Sequence, residues 1–206
     1  MQWFRRLADV PGLSYEGSPT VDRRRLTGYD SEPKVLGLEL EGESHHALEW
    51  STSEGDPTSD SPVSRRISDL DENSPPRETL RWLEETLELP GELSDYYYAI
   101  RIAWAIVDKG RQPDPSLLKE VERLYQLDIE LLEAYPKGVK HEVRQPYPDL
   151  VYERLVELYA GEGYFHEALE VAERGFKMSQ EDRSLSLAAE RLHLVLEELE
   201  AEDAGR

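Results

Sequence analysis

From Pro76 onward, apolar residues recur at spacings of three and four, so each run reads as the buried face of a helix. Leu80, Leu83 and Leu87 mark a first helix, which ends at Pro90-Gly91. Ser94 suits the cap of a second, with Ile100, Ala103, Trp104 and Val107 on its inner face and Gly110 at its end. Asp114-Pro115 places a capping side chain before a proline at the first helical position. Leu118, Val121, Tyr125, Ile129 and Leu132 carry that third helix up to Pro136. Pro148 opens a fourth, with Val151, Leu155 and Leu158, closed by Gly161 and Gly163. Phe165, Ala168, Ala172 and Phe176 mark a fifth. Ser179 with Asp182 resembles a capping box for a sixth, whose inner stripe is Leu185, Ala188, Leu192, Val195 and Leu199. Short connections make neighbouring helices antiparallel.

The chain before Pro76 has a different pattern. Trp3, Phe4, Leu7 and Val10 can form one short apolar face, and Leu36, Leu38 and Leu40 alternate with Gly37 and Glu39 as in a strand. A lone strand needs a sheet, so these pieces either dock on the helical part or stay mobile. Residues 41–76 are rich in Ser, Asp, Glu, Pro and Gly and lack periodicity, which predicts a disordered acidic linker. The expected organisation is an N-terminal segment at 1–40, partly ordered at most, the linker at 41–76, and a helical domain at 77–203.

Tyr152, Leu155, Tyr159, Gly163, Phe165 and Ala168 follow one another as in a tetratricopeptide repeat, and residues 151–176 resemble that family. Gly163 permits the tight turn, Ala168 lets two helices cross closely, and Tyr159 and Phe165 fill the space around the crossing. Val156, Ala172 and Gln180 depart from the pattern, which puts regular stacking in doubt more than the hairpin itself. A fainter copy, residues 97–110, aligns with 150–163 at an offset of 53 residues, longer than the roughly 34-residue repeat. The resemblance implies an all-α fold of irregular hairpins, about six helices, behind a largely disordered N-terminal region. An unrelated helical bundle gives the same pattern. The resemblance also implies that first-helix residues face the concave surface. Glu153 and Glu157 would then line it, with Tyr97, Ile100 and Trp104 from the fainter copy.

Composition narrows the function. The 206 residues carry a net charge of -20, so a phosphate-binding surface is not expected and direct nucleic-acid binding is disfavoured. The charge suits a solvated surface or a basic partner. With no cysteine, disulfides, thiolate zinc sites and thiol nucleophiles are excluded. The longest apolar stretch, Ala103 to Val107, is too short to span a membrane. Arg5 and Arg6 precede no apolar run, because Asp9 and Pro11 interrupt, so a cytoplasmic location is the expectation.

Candidate chemistry fails residue by residue. His141-Glu142 and His166-Glu167 begin like a zinc-protease motif, but Gln145 and Glu170 stand where a second histidine is needed. His45-His46 falls in the expected linker. Gly161 and Gly163 are followed by Tyr164, which makes no phosphate loop. No catalytic residue, metal or cofactor is therefore expected. Of Tyr96, Tyr97 and Tyr98, helical geometry allows two to pack and leaves one at the surface; the competing reading is an aromatic lining for a partner. Lys137, Lys140 and Arg144 make the 137–145 loop locally basic, which most simply offsets neighbouring carboxylates. Arg65-Arg66-Ile67-Ser68 has the form of a basic-directed phosphorylation site. The expected function is an adaptor or scaffold that holds a partner's peptide or helix, one with a basic segment, in a helical groove. The alternatives are an acidic nucleic-acid mimic and an enzyme's accessory subunit.

Overall fold

The computed structural model describes residues 2–40, 43–71, 73–135, 148–178 and 183–204. Within them the chain is mostly helical, with seven α-helices that pack in sequence order and two small sheets. The helices are α1 (Pro62–Ser68), α2 (Pro76–Leu87), α3 (Leu93–Arg111), α4 (Leu118–Ala134), α5 (Pro148–Gly161), α6 (Phe165–Met178) and α7 (Arg183–Ala204). Strands β1 (Trp3–Phe4) and β5 (Gly91–Glu92) pair antiparallel, and β2 (Lys34–Leu40), β3 (Glu43–Ser51) and β4 (Pro57–Thr58) form an antiparallel sheet in that order.

The helix ends follow from local chemistry. Pro75-Pro76 starts α2, since proline at the first position forfeits an amide that has no helical partner anyway. Thr79, Trp82, Leu83 and Leu87 bury one face of it. Helix α3 is capped by Glu92 and not by Ser94: the Asp95 carboxylate accepts from the Glu92 amide at 2.9 Å while Glu92 accepts in return. Asp95 is in place for this because it also accepts the Ser61 hydroxyl at 2.6 Å. Asp114 caps a short 3-10 turn, Pro115–Leu117, that leads into α4. The expected Ser179–Asp182 capping box and the basic 137–145 loop lie outside the described residues.

Ion pairs and hydrogen bonds show the alternating direction of the helices. Trp104 and Arg101 of α3 meet Asp128 of α4, while Tyr152 and Tyr159 of α5 meet Glu133 and Glu122 of α4. At the α5–α6 turn Gly163 takes φ +86°, a conformation that a Cβ disfavours. Ala168 is fully buried, whereas Phe165 is only half-buried. Helices also approach closely at Gly175, where a Cβ would stand 2.7 Å from both Tyr152 Cγ and Leu185 Cδ1. In α7, Leu185 and Leu192 are buried, but Leu199 is exposed. With 22 residues against 14 in α6, α7 outruns its neighbour by about 12 Å.

The expectation of a disordered N-terminal region and linker is overturned. Residues 43–51 form the strand that partners Lys34–Leu40, in register from Lys34 opposite Glu49 to Leu40 opposite Glu43. His45 and His46 therefore belong to β3 and not to a linker. Trp50 is fully buried, with its ring edge-on to Trp3 at 5.9 Å. The Ser, Thr and Asp residues that suggested disorder are spent on turns and caps. Thr52 and Thr58 hydroxyls accept from the Asp56 and Asp60 amides, and Ser61 caps α1 by accepting from Ser64. The first ten residues dock. Leu7 and Val10 are buried, and the Leu93 amide donates to the Gln2 carbonyl. The Tyr96 hydroxyl lies 2.6 Å from the Leu89 carbonyl and 3.1 Å from that of Phe4. The fold is thus not purely α, and its core runs without a break from Leu7 through α1–α6 to Leu192.

Two arginines reach one buried carboxylate where these parts join. Glu85 of α2, 2% exposed, receives Arg66 of α1 at 2.7 Å and Arg25 at 2.9 Å. Removing one member of a buried pair strands the other, so Glu85→Gln should cost roughly 3 kcal/mol in chemical denaturation. Arg24→Ala, at an exposed pair with Asp22, should stay within about 0.5 kcal/mol. Equal effects of the two would refute the clamp. Gly175→Ala should destabilise by roughly 1–3 kcal/mol through overpacking, even though alanine is the better helix former. Gly161→Ala, beside open space, should not destabilise.

Candidate functional site

A cleft of about 260 Å³ runs between α4 and α6 and is floored by α5. Leu155 and Tyr159 form its floor. Gln126, Ile129 and Glu130 of α4 make one wall, and Glu167, Glu170, Val171 and Arg174 of α6 make the other. Two neighbouring recesses share its residues. One, of about 280 Å³, adds Leu118, Leu158, Glu162 and Tyr164 and shares Tyr159 and Glu167. The other, of about 380 Å³, adds Tyr15 and Leu127 and shares Gln126 and Glu130. The three recesses share these residues and lie along α4 as a segmented groove.

Hydrogen bonds fix the floor and one end. The Tyr159 hydroxyl donates to Glu122 at 2.8 Å and accepts from the Gln126 amide at 2.9 Å. Burial and the Glu122 carboxylate push the Tyr159 hydroxyl up to about 12, so it stays a neutral donor. The Tyr164 ring stands edge-on to Tyr159, with centroids 6.5 Å apart. Arg174 grips Glu133 through two nitrogens, at 2.9 and 2.7 Å, and the Tyr152 hydroxyl adds a third bond at 3.0 Å. Burial alone would raise the Glu133 carboxyl, but Arg174 and Tyr152 outweigh it and hold it below its ordinary value. Arg174 is therefore neutralised. Glu162, Glu167 and Glu170 have no cationic partner among the described residues. Lys119 and Arg123, the latter paired with Glu120, line the recesses too, so the groove offers the rings of Tyr159 and Tyr164 under a rim with more carboxylates than cations.

The residues expected to bind a partner are placed elsewhere. Tyr97, Ile100 and Trp104 are in the core, 1%, 0% and 7% exposed, and offer a partner almost no area. Of the three adjacent tyrosines, Tyr96 and Tyr97 pack and Tyr98 is exposed. Glu153 is half-buried and bonded to the Ser184 hydroxyl of α7. Glu157 is exposed and paired with Arg154 at 3.1 Å. Neither lines the groove. The residues that do, above all Glu167 and Glu170, appear in the sequence only as a failed metal motif. Their spacing of three, beside Ala168 and Val171, is the signal that marks an exposed helix face next to a buried one.

Trp104 has a structural role. Its indole donates to Asp128 Oδ2 at 3.0 Å, and Arg101 donates to the same oxygen at 3.1 Å. Arg101 also lies over the Tyr97 ring, 4.5 Å from its centroid. Asp128 is fully buried, and its Oδ1 has no hydrogen-bond partner among the described residues. Burial pushes this carboxyl up to about 6, against the opposing pull of Arg101 and Trp104.

Among the described residues there is no cluster of metal-ligating side chains, and no helix is long and apolar enough to cross a membrane. No family model, curated protein or solved structure matches the chain.

Asp128 gives a pH test. Its folded value, about 6, lies above the unfolded value near 3.9, so the folded state binds the proton more tightly. Its stabilising contribution is complete below about pH 4 and is lost as pH rises through about 6. Glu133, held low, contributes in the opposite sense in both proteins, so the difference between wild type and Asp128→Asn is the readout. Urea denaturation should show wild type losing roughly 2–3 kcal/mol relative to the variant between pH 4 and 7. Parallel pH profiles would show that Asp128 binds its proton equally in the folded and unfolded states, and would contradict the raised value.

Proposed function

We propose that the chain is a non-enzymatic adaptor or scaffold that holds a basic, apolar-anchored segment of another protein in the α4–α5–α6 groove. One observation carries this reading: along the groove the half-buried Tyr159 and the exposed Tyr164, edge-on to it, stand beside the unpaired carboxylates Glu167 and Glu170. The two tyrosine rings supply affinity, because covering them removes area from water and tyrosine adds a polar tip. Rim carboxylates contribute mainly to on-rate and orientation. The net charge of -20 strengthens the pull on a cationic partner at low salt.

Peptide display against the full chain tests the proposal. Selected sequences should place Lys or Arg beside Leu, Ile, Phe or Tyr. Their affinity should fall with added salt, since the rim is exposed. Glu167→Lys combined with Glu170→Lys should weaken binding by about tenfold or more. The unfolding midpoint should not fall, because neither carboxylate is paired. Peptides that bind the double variant as tightly as wild type would remove the groove from consideration.

A further inference from the structure

Twice within this chain a guanidinium is held by a tyrosine ring and a carboxylate together. Arg101 lies over the Tyr97 ring, 4.5 Å from its centroid, and donates to Asp128 at 3.1 Å. Arg66 lies over the Tyr29 ring at 5.7 Å and pairs with Glu85 at 2.7 Å. The two contacts use different parts of the group. Its flat face meets the negative face of the ring, and its edge donors meet the carboxylate oxygens. An ammonium is a compact, strongly hydrated point charge and has no such division.

The recess at the α5–α6 turn has the rings and the carboxylates of this arrangement. Its volume is about 280 Å³, below the roughly 300–1,000 Å³ of sites that enclose a whole small molecule, so it suits one side chain. Tyr159 and Tyr164 both line it, with ring planes 76° apart, as two adjoining walls. The Tyr159 ring is fixed through its hydroxyl by Glu122 and Gln126, and the Tyr164 ring is 57% exposed. Glu162 and Glu167, both exposed, line the same recess and have no cationic partner among the described residues. Half-buried Leu118 stands beside them and offers an apolar surface to the methylene stem of a long side chain. Lys119 lines the recess as well, and among the described residues its ammonium pairs with neither glutamate. A lysine already at the rim thus leaves both carboxylates unmatched.

We propose that this recess takes the guanidinium of an arginine in the partner's segment, its face on the Tyr164 ring and its donors on Glu162 and Glu167. The inference rests on the groove reading and sharpens it: the basic residue that anchors the partner is arginine and not lysine.

Tyrosine-ring NMR of the full chain, titrated with N-acetyl-arginine methylamide and with its lysine and citrulline counterparts, tests it. Citrulline keeps the planar shape and loses the charge. The arginine compound should give saturable shifts at the Tyr159 and Tyr164 ring protons. The lysine compound should bind about threefold or more weakly, the size of an exposed cation–π contact, and the citrulline compound about tenfold or more weakly. Tyr164→Leu should abolish the shifts at Tyr159, whereas Tyr164→Phe should preserve them, which separates the ring from its hydroxyl. Glu162→Gln with Glu167→Gln should weaken binding about threefold or more, and carries the test if the leucine variant does not fold. The inference is overturned if the arginine compound gives no saturable shift, if either counterpart binds as tightly, or if the glutamine pair binds unchanged. Groove-binding peptides that accept lysine for arginine without loss would also overturn it, and would leave the groove reading standing. That reading is tested separately, by peptide binding to Glu167→Lys with Glu170→Lys.

Discussion

Glu85 sits in the last turn of α2 with almost no contact with water, and the layout of the chain follows from how its charge is met. A buried carboxylate is tolerated only when cations and hydrogen bonds replace its hydration. Here the cations come from two distant places, Arg25 and Arg66. Glu88, one turn on, is met by Arg23 in the same way. Arginine suits the task because its planar fork is weakly hydrated and presents several donors. The Trp82 indole adds a bond to the Arg66 carbonyl at 3.2 Å, so α1 is held both by charge and by its backbone. Without these arginines α2 would end in two buried, unmatched charges. The N-terminal quarter of the chain is thus part of the helical core's electrostatics and not a tail attached to it.

The same division of charge explains the outer surface. Glutamates that turn inward, at 85, 88 and 133, are matched by arginines drawn from elsewhere in the chain. Those that face outward along the groove, at 162, 167 and 170, are left in water. The net charge of -20 is therefore unevenly spread in its consequences. Inward carboxylates fix the architecture, and outward ones shape the field that an approaching partner meets.

The helices from Pro76 onward were legible because an apolar face repeats every three to four residues and because Pro76, Asp114-Pro115, Pro148 and Gly163 carry unambiguous start and turn chemistry. Cap identity was harder: Ser94 is a good capping residue by type, yet Glu92 has the reciprocal partner, Asp95, that Ser61 holds in place. Residues 41–76 were misread for one physical reason. Their polar side chains bond to the backbone of turns and caps, and composition alone cannot tell that use from solvation. Trp50 and Val63, both fully buried there, are weak signals against many polar neighbours. A repeat alignment gives position on a helix but not which neighbour covers it. Tyr97, Ile100 and Trp104 lie under α2 and α4, and Trp104 is further fixed by Asp128. The groove itself needs α4, α5 and α6 together, a relation that no local spacing encodes.

Hydrogen exchange followed by mass spectrometry, run across the full chain in wild type and Glu85→Gln, addresses most directly whether the first 71 residues are integral to the fold. The account predicts slow exchange in α1 and at the β2–β3 ladder in wild type, within reach of that in α3 and α4. In the variant, exchange in residues 2–71 should accelerate while α4–α6 stay protected. Wild-type exchange in residues 2–71 as fast as in an unfolded chain, or equal protection of both regions in the variant, would contradict it.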